Sequence, residues 1–367
     1  MENKKNNQNF REFYGKFGYI FGIVFAIAAV LFLLAPVVSF EIRERVYDAL
    51  NEQVSKTDYA YNMNLISYFT TGYKLNFTMY ITLGLALGGI IFIILGKFVK
   101  NDLLTVAVMC FAVMICFLIL AREFFAAEEN DVLSNCIVVG KDVPPGGIVV
   151  PETHGAQIAW GGAVSIFFAS LAFMVSLSCN LQSVEFSVRD IAEEAIMIAL
   201  AFGLNFIKIP VTATGGSVNF QMFPLMIIAL RHGPSHGFVC GGIVFGLLTC
   251  LTDGYGFATY PFDYLIGFGS VAVVGYFRRF IFSPEQKNYN IKGLLFLLLA
   301  GLLSTIVRFV GGTTSSMVIY GYDLKAAMIY NSLYVLLSGV AGFGIIMVMY
   351  GPLLHINNMF PVKRNTY

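Results

Sequence analysis

The chain has 367 residues, of which 57% are hydrophobic and 12% charged, with a formal net charge of +1. A soluble domain usually carries about 25% charged residues, so the composition excludes an ordinary water-soluble fold, and the small net charge gives no reason to expect a nucleic-acid partner. Mean hydropathy is +0.74, and long uncharged runs at 18–40, 75–96, 103–121 and 155–184 account for much of it. About 20 apolar residues cross a bilayer. The expected class is therefore an all-α integral membrane protein with about ten transmembrane helices and the lipid bilayer as its solvent.

In chain order, a basic segment (Lys4, Lys5, Arg11, Lys16) precedes the first apolar run. That run is longer than the roughly 7–15-residue core of a signal peptide and lacks a small-x-small cleavage site, so it reads as a retained helix over 17–38. Three further spans follow at 77–96, 103–121 and 157–178. The connections 41–74 and 122–154 are long, and VPPGGIVVPE in the second reads as turns; neither carries a catalytic pattern. The short polar stretch CNLQSVEFSVRD, 179–190, reads as a junction. It divides the chain into a four-helix block, 1–180, of no assigned role and a six-helix block, 181–367. The second block holds spans at 190–207, 218–230, 236–251, 262–278, 291–312 and 327–353. The majority of the 23 Lys and Arg fall in segments on the same side as the N-terminus. By the positive-inside rule both termini are expected in the cytoplasm of a cell membrane. TATGGSVNF then lies on the outer face, where Gly215, Gly216 and Ser217 let backbone approach a ligand.

Chemistry-bearing motifs are few. GGIIFIILGK, 88–97, has Ile91 and Phe98 where a phosphate loop needs Gly and Ser or Thr, so no nucleotide site is expected. The six cysteines are scattered without a C-x-x-C pair, so no zinc or disulfide framework follows. The four histidines are dispersed. His232 and His236 are four apart, but Gly233 and Pro234 break the helix that would align them, and RHGPSH reads as an ordinary turn. No enzyme, cofactor or metal is expected. Ionisable residues in or beside spans of the second block carry more weight, because charges within the membrane are generally functional. Glu193 and Glu194 suit a helix N-terminus, Arg308 lies deep in a span, and Asp263, followed by Tyr264, stands at the outer end of another.

EEAIMIALAFGLNF, TGGSVNFQMFPLMIIALRHG, GGIVFGLL and PFDYLIGFGSVAVVGYF, in that order, together resemble the thiamine-specific substrate-binding (S) component of energy-coupling factor (ECF) transporters, the ThiT family. The resemblance covers about 187–356. It implies a six-helix protein of a bacterial membrane that captures thiamine from outside and docks on an ECF coupling protein and two cytoplasmic ATPases. On this resemblance Asp263 and Tyr264 match the family's acidic-Tyr pair, the acid accepting hydrogen bonds from the aminopyrimidine. Asn331, after Tyr330, matches a ligand-binding asparagine, and Ala195 and Ala199 match the small-x-x-x-small face used against the coupling protein. Gly312 stands where the family has a ligand histidine, and the only Trp, Trp160, lies in the other block. Tyr255, Tyr260, Tyr320 and Tyr322 are the rings that could replace an aromatic cage around a thiazolium cation. Two alternatives keep this scaffold: a different vitamin or thiamine-precursor ligand, and a non-transport sensor or assembly protein.

Overall fold

The computed structural model describes residues 2–47, 50, 53–70, 77–98, 102–126, 148–184, 186–211, 217–282 and 290–360. The helices of the first block are α1 (Glu2–Phe32), the short α2 (Leu65–Thr70), α3 (Phe77–Phe98), α4 (Asp102–Ala126) and α5 (Trp160–Ser183). The second block holds α6 (Val188–Asn205), α7 (Met222–His232), α8 (Pro234–Asp253), α9 (Phe257–Tyr276), the single turn α10 (Arg278–Ile281), α11 (Ile291–Val318), α12 (Leu324–Val348) and α13 (Tyr350–Met359). Among the described residues seven helices are long and apolar enough to cross a membrane. The shorter apolar segments Phe17–Phe32 and Met222–His232, together with α6, stand at the other three expected spans. The protein is a polytopic helical membrane protein.

Sequence reasoning left the long connections as loops, but parts of them form a sheet. Strand β1 (Val38–Tyr47) pairs antiparallel with β2 (Gln53–Met63) on one side and with β3 (Ile148–Ile158) on the other. Charged residues at Glu41, Arg43, Glu44 and Arg45 hid the strand from a reading that searched for apolar runs. The order β2-β1-β3 pairs the backbone groups of β1 in two ladders.

The chain packs as two units, one of segments 1–22, 91–113 and 173–367, the other of 23–90 and 114–172. In the second unit Ser165 donates to the Ala29 carbonyl at 2.8 Å, and the Phe32 and Phe168 rings stack at 5.5 Å. The first unit contains the whole six-helix block. There Asn180 Nδ2 donates to Thr105 Oγ1 at 2.7 Å and to Ser235 Oγ at 3.1 Å. This buried polar knot ties α4 and α5 to the start of α8.

Packing in the six-helix block has the inside-out pattern of a membrane protein. Along α11, Gly293, Ala300, Gly301, Ser304, Thr305, Arg308, Gly311 and Gly312 are buried, while Leu295, Leu299, Leu302 and Ile306 are exposed. Small residues inside let backbones approach and large apolar ones face the lipid. Gly242 of α8 shows the approach: a Cβ there would lie 2.7 Å from the Leu265 carbonyl of α9. Three helices widen into π turns, at Val239–Phe245 in α8, Tyr260–Ile266 in α9 and Ser332–Leu336 in α12. Such turns often accompany functional sites.

Candidate ligand-binding site

A cavity of about 160 Å³ opens at the end of the block formed by the C-terminus of α6, the start of α7, the α8–α9 turn and the α11–α12 turn. Two of the three π turns feed it: the one in α9 carries Asp263 and Tyr264, and the one in α12 carries Tyr334 and Val335. Pro261 opens the former, where its missing N–H costs nothing. Gly321, at φ 68, makes the tight turn between α11 and α12. Asp323 then caps α12 by accepting from the Ala326 N–H at 2.7 Å. That turn sets Tyr320 and Tyr322 over the cavity.

The polar lining is partly paired and partly not. Asp263 Oδ2 accepts from Ser315 Oγ at 2.6 Å. Ser315, not Arg308, is thus its hydrogen-bond partner. The Tyr264 hydroxyl donates to Asp253 Oδ2 at 3.3 Å, and Lys208 Nζ stands 3.6 Å from Asp253 Oδ1. Arg308 is buried, with its guanidinium 5.1 Å over the Phe268 ring and Tyr334 and Asp263 as electrostatic neighbours. Arg308 Nη1, Asn219 Oδ1 and Gln221 Oε1 are buried without a protein hydrogen-bond partner. Leaving such atoms unpaired costs about 1–3 kcal/mol each, so their grouping around this cavity makes it the candidate ligand site.

The aromatic lining is a continuous run of tyrosines. Ring centroids are 6.4 Å apart for Tyr320–Tyr322, 5.8 Å for Tyr322–Tyr330 and 5.1 Å for Tyr330–Tyr334. Burial, with the Asp263 charge nearby, pushes the Tyr320 phenol up to about 12, so it is a neutral donor at neutral pH.

Of the residues expected from sequence, Asp263, Tyr264, Ser217, Tyr255 and Tyr320 line this cavity. Asn331 is fully buried just behind it. Its amide donates to Ser316 Oγ at 2.9 Å and to the Ala327 carbonyl at 2.8 Å, and its Oδ1 lacks a protein partner. A Cβ at Gly312 would come 2.5 Å from that oxygen, so the glycine leaves room for Asn331. Tyr260 is not part of the lining, because its hydroxyl is taken up by the Gly242 carbonyl at 3.2 Å and its ring stacks on Phe257. Gly215 and Gly216 lie outside the described residues; the segment resumes with Ser217, whose strand β5 (Ser217–Val218) pairs with β4 (Ile209–Pro210). Ala195 and Ala199 are exposed on α6 beside Ile191, Ile196 and Leu200.

Tyr334, Asn219, Gln221, Asp253 and Lys208 were missed. For Tyr334 a signal existed, since Tyr330 and Tyr334 are four apart and share a helix face. The others depend on packing alone. At the far end of α6, the expectation that Gly233 and Pro234 keep His232 and His236 apart is overturned. Gly233, at φ 99, breaks the helix, yet the reversal into α8 brings the rings to 5.6 Å.

A polytopic helical membrane protein with a polar and aromatic cavity at the end of a helical block has the make-up of a membrane solute-binding protein. Residues 191–358 match the family described as "Thiamine transporter protein (Thia_YuaJ)". An uncharacterized protein of Pyrococcus woesei is 29% identical over 153 residues, 40% of this chain and 94% of that protein. The thiamine transporter ThiT of Bacillus subtilis is 28% identical over 141 residues, 35% of this chain and 69% of the relative. A solved structure of ThiT from Listeria monocytogenes aligns with a TM-score of 0.40 at 20% identity, covering 44% of this chain and 93% of that one.

Proposed function

We propose that the block 181–367 binds thiamine and works as the substrate-specificity subunit of a vitamin uptake system. The match of 191–358 to the thiamine transporter family supports this. The observation that carries the ligand assignment is the meeting of Asp263 with the tyrosine run in one cavity. Thiamine joins a cationic thiazolium to an aminopyrimidine. Aromatic faces attract such a cation by about 0.5–2 kcal/mol per ring, while the Asp263 carboxylate and the unpaired Asn331, Asn219 and Gln221 oxygens accept from the amine. Charge-assisted hydrogen bonds are about twice as strong as neutral ones, which gives Asp263 the leading role. In this reading Ser217 faces the cavity from the outer side and both termini are cytoplasmic. The exposed face with Ala195 and Ala199 docks an ECF coupling protein that is driven by two cytoplasmic ATPases, and 1–180 is a membrane extension to this bacterial uptake module.

Two cations, Lys208 and Arg308, line the same cavity, which favours a second reading in which a phosphate ester of thiamine is bound. Calorimetric titration of the purified chain with thiamine, its phosphates and the isolated pyrimidine separates the two. The first reading expects thiamine to bind most tightly and the pyrimidine alone at least tenfold more weakly. The second expects a phosphate ester to win. Absence of heat with all three ligands overturns both.

A further inference from the structure

A second group of chemically active side chains lies along α6 from the cavity. Glu194 is about 16 Å from the cavity-lining Asn205 at 1.5 Å rise per residue. Glu194, His232 and His236 each present a ligand atom, and these three atoms lie within 4.8 Å of one another. His236 Nδ1 is 2.6 Å from Glu194 Oε1, and His232 Nδ1 is 3.9 Å from the same oxygen. Tetrahedral zinc, with bonds of about 2.0–2.2 Å, holds its ligand atoms about 3.3 Å apart, a value between those two separations.

The surroundings match what a metal-binding imidazole needs. The other nitrogen of His232, Nε2, faces Glu193 Oε1 at 3.5 Å, and Glu193 is itself held by Arg231 through two nitrogens. A carboxylate behind a ligating histidine fixes its tautomer and orientation. Two donors stand near enough to complete a shell: Asp190 Oδ1 is 3.5 Å from His232 Nδ1, and Cys240 Sγ is 3.3 Å from Glu194 Oε2. Glu194, His232 and Cys240 are all buried, so the site is shielded from competing water.

We propose that Glu194, His232 and His236 bind one divalent transition-metal ion, with Asp190 or Cys240 closing the coordination. Two imidazoles and a carboxylate select zinc or cobalt over magnesium or calcium, which take all-oxygen shells. The ion would fasten α6, with its exposed Ala195–Ala199 face, to α7 and α8. This assignment stands apart from the identity of the cavity ligand.

The test uses the full chain purified in detergent and freed of metal by a chelator. Cobalt(II) titrated into it should give visible d–d absorption that saturates at one equivalent, and zinc should displace it. Zinc should raise the melting temperature and magnesium should not. His236→Gln, at the least enclosed of the three positions, should keep the elution profile of the folded parent and bind cobalt at least tenfold more weakly. No stoichiometric cobalt or zinc binding by the parent chain overturns the proposal, whatever the variant does. Equal affinity in a folded His236→Gln also overturns it and leaves the cluster a hydrogen-bonded staple between helices.

Discussion

The two ends of α6 differ in which of their buried polar groups are paired, although Arg231 Nη1 at the second end also has no protein partner. Around the cavity, Asn219 Oδ1, Gln221 Oε1 and Arg308 Nη1 have no protein partner. At the other end the carboxylates are all engaged: Glu193 by Arg231, Glu194 by His236 and Cys240, and Asp190 with Ser187 in a capping box that starts the helix. Buried polar groups are normally paired; in the proposed reading the first end keeps bonding capacity for a ligand, while the carboxylates at the second join α6 to α7 and α8. Substitutions at the two ends should accordingly separate into affinity effects and stability effects.

The largest effect is expected at the paired end. Arg231 is buried and holds Glu193 through two nitrogens, with Phe360 O within 3.4 Å. Arg231→Met leaves a carboxylate without its cation, and breaking a buried pair from one side costs about 3–5 kcal/mol. The melting temperature should drop sharply while the thiamine dissociation constant of the remaining folded protein stays that of the parent. A parental melting temperature would show that the pair contributes nothing net.

Next comes Asp263→Asn at the unpaired end. The amide keeps size and can still accept from Ser315, but the charge is lost. A tenfold to hundredfold weaker thiamine affinity is expected, about 1.4–2.7 kcal/mol, with little change in melting temperature; Asp263→Glu should be tolerated. An unchanged dissociation constant with a lowered melting temperature would make Asp263 a structural group and erase the contrast between the ends.

A smaller effect is expected from the tyrosine run. Tyr330→Leu removes one aromatic face next to Tyr322 and Tyr334. A cation–π contribution of about 0.5–2 kcal/mol corresponds to roughly 2–30-fold in affinity, read by the same titration. Full affinity in this variant would move the cation away from the run.

Ala199→Trp should leave both ends untouched, since Ala199 is exposed on α6. Its expected consequence appears only in assembly: co-purification with the coupling protein and ATPases should be lost while thiamine affinity stays unchanged. Recovery of the complete assembly at the parental yield would remove Ala199 from the docking face.

Much of the architecture was legible because the membrane imposes a one-dimensional rule. A span must be long, apolar and uncharged to satisfy its backbone internally, and such runs can be read without knowing any contact. The sheet escaped because β1 is rich in charge and its strands are joined by ladder hydrogen bonds between distant segments. Asp263 and Tyr264 were found because a charge in a span is conspicuous and because they stand in a specific succession of motifs. Asn219, Gln221 and Asp253 were not, since a polar residue near a helix end is ordinary until its neighbours are known.

What the sequence by itself determined about this protein is therefore its class, the order of its spans, and the conspicuous Asp263–Tyr264 pair that the fold places in the cavity lining. Only the tertiary structure decided which tyrosines form one wall, why Gly312 is small, and that His232 and His236 meet Glu194. These last facts rest on the widened turns of α9 and α12 and on the reversal at Gly233. The reason is physical: hydropathy and span length are properties of single segments, whereas a cavity or an ion site is a property of the angles and distances between segments, set by close packing at glycines such as Gly242 and by hydrogen bonds across dozens of residues.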